Sequence, residues 1–261
     1  MAGAGWKDNL RVVMVGTRNP LNIGAAARAM ANFGFARLRV VSPYDVAFRE
    51  ARSAVGAAPL LQAAEEFSSV AEAVADARLV VGTTSVGHRE LQHPIRRLEY
   101  GGGAIRRQLE SGAVALLFGS EKFGLSNDDL SHCHWLMRIP TVDQELSMNL
   151  GQAVALCLYE LARDPRAERE PETLQDSPDI GDQPAAPVSS PRETSLASAG
   201  QTEQVVRMLM DALRRCGYVN PLTADTTEEK IRRLAMRLRI SAHDAPVLMG
   251  MLRQILWKLG E

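Results

Sequence analysis

Cysteine, lysine and long apolar runs are all scarce in this chain. Only Cys133, Cys157 and Cys216 occur among 261 residues, and none forms a CxxC pair. That argues against a disulfide framework or a zinc knuckle and suits a reducing cytoplasm. No stretch approaches the roughly 18–20 apolar residues of a membrane span. The first ten residues lack an apolar core preceded by basic residues, so no secretory leader is expected. GKS, GKT and GxGxxG are missing as well, which argues against a Walker phosphate loop and opposes a nicotinamide-dependent oxidoreductase. Of 30 basic residues only four are lysine. The flat fork of arginine suits phosphate oxygens, but arginine is also ordinary on solvated surfaces.

What is present is patterned. Hydrophobic residues make up 46% and charged residues 23%, an ordinary globular composition. Residues 10–15, 38–41, 79–81 and 113–118 are short and rich in Val or Leu, and they read as buried strands. Residues 23–33, closed by Gly34, and 70–75, opened by Ser68 and Ser69, read as helices between them. Such alternation implies a mainly parallel sheet with helices on both faces. A helix over 148–163 should follow, with Leu150, Val154, Leu158 and Leu161 on one face. Residues 1–163 are therefore expected to form one α/β domain.

Residues 164–200 differ. They carry three basic and eight acidic residues, a net of −5 against −1 for the whole chain. Rich in Pro, Ser and Ala, they read as a flexible linker. Beyond them, helical patterns over 203–216, 226–238 and 245–259 make residues 201–261 a small all-α module, with Trp257 expected in its core.

Three segments carry the chemistry, each where a strand should end, which is where open α/β sheets bind ligands. The first runs from Gly16 to Arg28. Asn22 and Gly24 place a polar side chain and open backbone at a helix start, and Arg28 stands on an otherwise apolar helix. In the second, Leu117 to Leu130, Gly119 and Gly124 bracket the acid Glu121, and Ser126 has the pattern of a helix cap with Asp129. The third, Ile139 to Asn149, is a polar loop in which Ser147 either caps the last helix or faces a ligand. Arg18, Arg96, Arg97, Arg106 and Arg107 are candidate phosphate contacts or plain solvated surface. His132, Cys133 and His134 lack a second ligand pair and do not read as a metal site. His88 and His93 read as loop surface or substrate contacts.

As a set in this order, NxxNIGxxxR, FGxExxGL and IPxxxxxxSxN resemble the TrmH-type branch of the SPOUT RNA 2′-O-ribose methyltransferases, over residues 9–162. The helical appendage at the C-terminal end is similar to the TrmJ family, which methylates the ribose at position 32 (cytidine or uridine) of the tRNA anticodon loop. The resemblance implies a SPOUT-type parallel sheet with a C-terminal trefoil knot, a homodimer, S-adenosylmethionine as methyl donor, tRNA as substrate, and no metal or membrane. It implies a donor pocket formed by Thr83, Thr84, Ser85, Gly119, Ile139, Leu146, Ser147 and Met148, and Arg28 as the catalytic residue. Asn22, Glu121 and Asn149 support the motifs, with Arg18 nearby. Asp143, Gln144 and Glu145 imply no base preference. A ribosomal RNA methyltransferase of the same family, and a non-catalytic RNA-binding protein of the same fold, stay open at this point.

Overall fold

In a computed structural model of the protein, residues 5–42, 58–85, 92–142, 147–163 and 195–260 are described below. Seven strands form one sheet: β1 Leu10–Val15, β2 Arg37–Val41, β3 Glu65–Phe67, β4 Leu79–Thr83, β5 Ile95–Arg97, β6 Val114–Phe118 and β7 Trp135–Arg138. Their order is β3-β2-β1-β6-β4-β7-β5, and every pairing is parallel. All strand C-termini therefore lie along one edge. β6 sits at the centre because VALLF is buried at all five positions, as a strand covered on both faces must be. The pleat sends Leu116 and Phe118, with Val12 and Met14, into one core, and Ala115 and Leu117, with Val13 and Val15, into the other.

Helices cover both faces: α1 Pro20–Phe33, α2 Ala58–Gln62, α3 Val70–Ala73, α4 Leu98–Ser111, α5 Asn127–Ser131 and α6 Leu150–Ala162. α1 begins earlier than the apolar pattern indicates, because Asn19 caps it and Pro20 takes the first turn. Gly34 closes it in the left-handed conformation, at φ 75°. The Ser126–Asp129 capping box forms. Leu150, Val154, Leu158 and Leu161 are all buried.

α4 has no counterpart in the sequence reading, since three glycines in a row at 101–103 each cost about 1 kcal/mol in a helix interior. Packing explains two of them. A Cβ on Gly101 would come within 3.2 Å of the Trp135 ring, and one on Gly102 within 2.9 Å of Glu160 Cγ. Close approach to β7 and α6 outweighs propensity.

The C-terminal helices are α7 Ala199–Arg215, α8 Ala224–Leu238 and α9 Asp244–Lys258. α7 starts inside the segment read as linker, because Ser198 and Gln201 form a capping box and Ala197 and Ala199 are buried. The Ala199 and Gly200 N–H groups donate to Ala77 and Ala75 carbonyls, 2.7 and 2.9 Å, tying the first turn to the α/β unit. The rest of the expected linker, 164–194, lies outside the described residues. Trp257 is 57% exposed, so it is not core: α9 buries only Ala245, leaving its outer face bare. Among the described residues no helix is long and apolar enough to cross a membrane.

Candidate active site

Parallel pairing brings the ends of β4, β6 and β7 side by side, and the loops that follow enclose one cavity of about 460 Å³. Thr83, Thr84, Ser85, Gly119, Ile139, Ser147 and Met148 all line it. Leu146 and His88 lie outside the described residues. Asn22, Glu121 and Asn149 stand at the same wall. The volume is that of an ordinary small-ligand cleft, roughly 300–1,000 Å³.

Each wall is fixed from the backbone upward. Thr83 Oγ1 donates to the Leu117 carbonyl, 2.9 Å away on β6, and the Thr84 N–H donates to the Met137 carbonyl at 3.0 Å. The loop after β6 folds back on itself, with the Gly124 N–H donating to the Ser120 carbonyl at 2.8 Å and Gly124 at φ 66°. A Cβ on Gly119 would run into the Gly124 and Leu125 backbone. No side chain fits there, so bare backbone faces the cavity.

A chain of hydrogen bonds joins the three motifs. Asn149 Nδ2 donates to Asn22 Oδ1 at 2.9 Å, and Asn22 Nδ2 donates to Glu121 Oε1 at 3.0 Å. The Arg18 and Asn19 N–H groups also donate to Glu121, at 3.3 and 3.2 Å. Partial burial alone would raise the Glu121 carboxyl, but the Asn22 amide and the backbone N–H donors outweigh it and hold its pKa below the usual range. Glu121 is thus a carboxylate that braces the first motif loop.

Asn149, and not Ser147, caps α6: its Oδ1 accepts from the Gly151 and Gln152 N–H groups. Ser147 is left to face the cavity. Two of the candidate residues stand apart. Arg28 and Arg18 have exposed side chains and are not among the residues lining the cavity.

The arginine clusters divide. Arg97 pairs with Glu99 at 3.0 Å, and Arg106 donates to the Glu160 and Arg163 carbonyls. Arg96 and Arg107 have no such partner among the described residues. Among those residues no group of three or more His, Cys, Asp or Glu could hold a metal ion. His134 is partly buried, with Nδ1 accepting the Val80 N–H at 3.1 Å. His93 is half-buried, and its Nε2 is buried without a partner, so it is not plain loop surface.

A parallel α/β sheet whose strand-end loops converge on one cavity, braced by an Asn–Asn–Glu relay, places a small-ligand site at the carboxyl edge of the sheet. The chain belongs to the SpoU rRNA methylase family, whose model matches residues 9–159. It is similar to the tRNA (cytidine/uridine-2′-O-)-methyltransferase TrmJ of Yersinia pestis, with 32% identity covering 95% of this chain and 91% of that one. It is 31% identical to the tRNA (cytidine/uridine/adenosine-2′-O-)-methyltransferase TrmJ of Pseudomonas aeruginosa, covering 95% and 93%. The crystal structure of TrmJ from Z. mobilis ZM4 superposes with a TM-score of 0.75 at 29% identity, over 94% of this chain and 98% of that one.

Proposed function

We propose that the protein methylates a ribose 2′-hydroxyl in tRNA, at position 32 of the anticodon loop, with S-adenosylmethionine as donor. The observation that carries this reading is the convergence of Thr83–Ser85, Gly119, Ile139, Ser147 and Met148 on one cavity, in a chain similar to TrmJ enzymes along nearly its whole length. The relatives' names include cytidine and uridine, and in one case adenosine, so base choice is the broadest part of the proposal.

The residues suit that donor. Gly119 leaves open backbone where a nucleoside needs close approach, Thr83, Thr84 and Ser85 offer polar groups, and Ile139 and Met148 offer apolar ones. Bound there, S-adenosylmethionine would supply an electrophilic methyl group on a cationic sulfur. The chain's own work is then to hold the ribose in line and exclude water. A guanidinium is very hard to deprotonate, so Arg28 serves as a clamp on an adjacent phosphate and on the developing alkoxide, not as a base; the hydroxyl proton leaves to that phosphate or to water as the S–CH3 bond breaks and the donor departs as a neutral thioether.

Arg28 is exposed on α1, seven residues from Leu21, which is 78% exposed. Leu156 and Tyr159, on the neighbouring helix α6, are also exposed. This uncovered face supports a homodimer as part of the reading. A trefoil knot, with the chain after β7 threaded at the cavity, and a cytoplasmic location with all three cysteines as free thiols, complete it.

Incubating the chain with an unmodified tRNA transcript and methyl-labelled donor, then mapping the label by mass spectrometry, tests the assignment. A methyl group on the ribose at position 32 is expected; none on tRNA overturns it. Arg28→Ala should lose at least about 100-fold in kcat while donor affinity stays within about twofold.

A further inference from the structure

Eight arginines fall in two sequence clusters, Arg96, Arg97, Arg106 and Arg107 in the α/β unit and Arg232, Arg233, Arg237 and Arg239 in the helical module. Four are committed internally. Arg97 pairs with Glu99, and Arg106 donates to carbonyls at the end of α6. Arg232 pairs with Glu203, Glu228 and Asp128, and Arg233 with Glu229. The other four, two from each unit, line a single cleft of about 330 Å³ between β7, α4 and α8. Among the described residues no carboxylate lines that cleft and none pairs with any of the four.

We propose that Arg96, Arg107, Arg237 and Arg239 form a phosphate-binding cleft that grips the tRNA backbone at the seam between the two units. The inference rests on the tRNA reading above and adds a second contact away from the methyl-transfer cavity. Three details make the cleft look built for an anion. The Arg96 guanidinium lies over the Trp135 ring, 4.9 Å from its centroid, which holds the flat fork on an aromatic face. Arg239 closes α8 at φ 48°, a left-handed position usually given to glycine or asparagine and costing other residues about 1 kcal/mol or more. His134, whose Nδ1 accepts from Val80, carries its proton on Nε2 when neutral and so adds a donor to the same wall.

Four guanidinium groups that pair with no carboxylate among the described residues repel one another around one cavity, and a bound anion relieves that. A phosphodiester matches guanidinium geometry, and a polynucleotide supplies such groups in series. Because the arginines come from both units, the ligand would also staple the helical module to the sheet. The cleft would therefore govern tRNA capture and leave methyl transfer alone.

The test uses the full chain and an unmodified tRNA transcript, with Arg96→Ala/Arg107→Ala and Arg237→Ala/Arg239→Ala as paired variants and Arg253→Ala as control. Each pair should lower the slope of log Kd against log salt by about 0.7–0.9 per lost contact. KM for tRNA should rise roughly tenfold at moderate salt, with kcat, donor affinity and Tm unchanged, and with the control behaving as wild type. Unchanged slopes, or an effect from one pair alone, would overturn the shared cleft. Titration with inorganic pyrophosphate is the second arm. If it binds the wild type tightly and the paired variants weakly, while tRNA binding is indifferent to the substitutions, the site serves a free small anion and the RNA assignment falls. A wild-type chain that binds tRNA with the expected salt slope but transfers no methyl group would sink the functional reading and leave the cleft standing.

Discussion

The α/β unit and the helical module are held together by different means. In the former, Val12, Val13, Met14, Leu116, Leu117 and many neighbours are wholly buried, so hydrophobic burial dominates its stability. The module's own core is small: Val206, Met210, Val219 and Ala235, flanked by a few partly buried residues. Val247, Met251, Ile255 and Trp257 of α9 remain exposed. What anchors the module is polar. Arg232, only 6% exposed, joins α8 to Glu203 on α7 at 2.9 Å and to Asp128 and Ser131 of α5 at 3.2 and 3.0 Å. The lesson is that one unit should tolerate changes of salt and pH that loosen the other.

The comparison breaks most sharply at the cavity. Gly119→Ala should weaken donor binding by about 100-fold or more, equivalent to about 3 kcal/mol, because the new Cβ meets backbone that cannot rotate away. Calorimetric titration of the donor checks this, and the module's helices should be untouched. Next is Arg232→Ala. Removing the cation leaves Glu203 partly buried beside His132 without its arginine, at a cost of about 3 kcal/mol. A separate, earlier unfolding transition should appear in urea, with donor affinity preserved; one cooperative transition at the wild-type midpoint would refute the contrast.

The smallest effect per residue is a pH dependence at the seam. Burial, with the positive charge of Arg239 acting in the same direction, pushes His134 down to about 4. Burial and Arg232 do the same to His132, also to about 4. Unfolded, each histidine takes up its proton near pH 6.5, so between about 4 and 6.5 the unfolded chain binds more protons than the folded one. Their contribution is therefore complete above pH 6.5 and is lost as pH falls toward 4, by about 2 kcal/mol per histidine at pH 5. His134→Asn keeps an acceptor for the Val80 N–H and should remove about half of that slope, measured as urea midpoints from pH 7 to pH 5.

How much of this was legible in the sequence depended on whether a signal was local. β1 stood out as a run of apolar residues, and the Gly34 and Ser126 helix ends as caps, because each is written within a few residues. The cavity residues came from motif order, not from periodicity. β5 escaped because all three of its residues are exposed at the sheet edge, so Ile-Arg-Arg carries no burial pattern. α4 escaped because its glycines answer to Trp135 and Glu160, far along the chain. The capping role of Asn149, two residues past Ser147, needed coordinates, as did the division of the arginines into paired and unpaired sets.

The amide link from Asn149 to Asn22 spans 127 residues and that from Asn22 to Glu121 spans 99. Loops of that length close only after the intervening sheet has brought their ends together. The cavity wall thus exists only where the folded sheet holds these distant segments side by side. A nascent chain halted before residue 147 has every strand of the sheet in its sequence and still lacks Ser147, Met148 and Asn149, so the wall that faces the small molecule is incomplete.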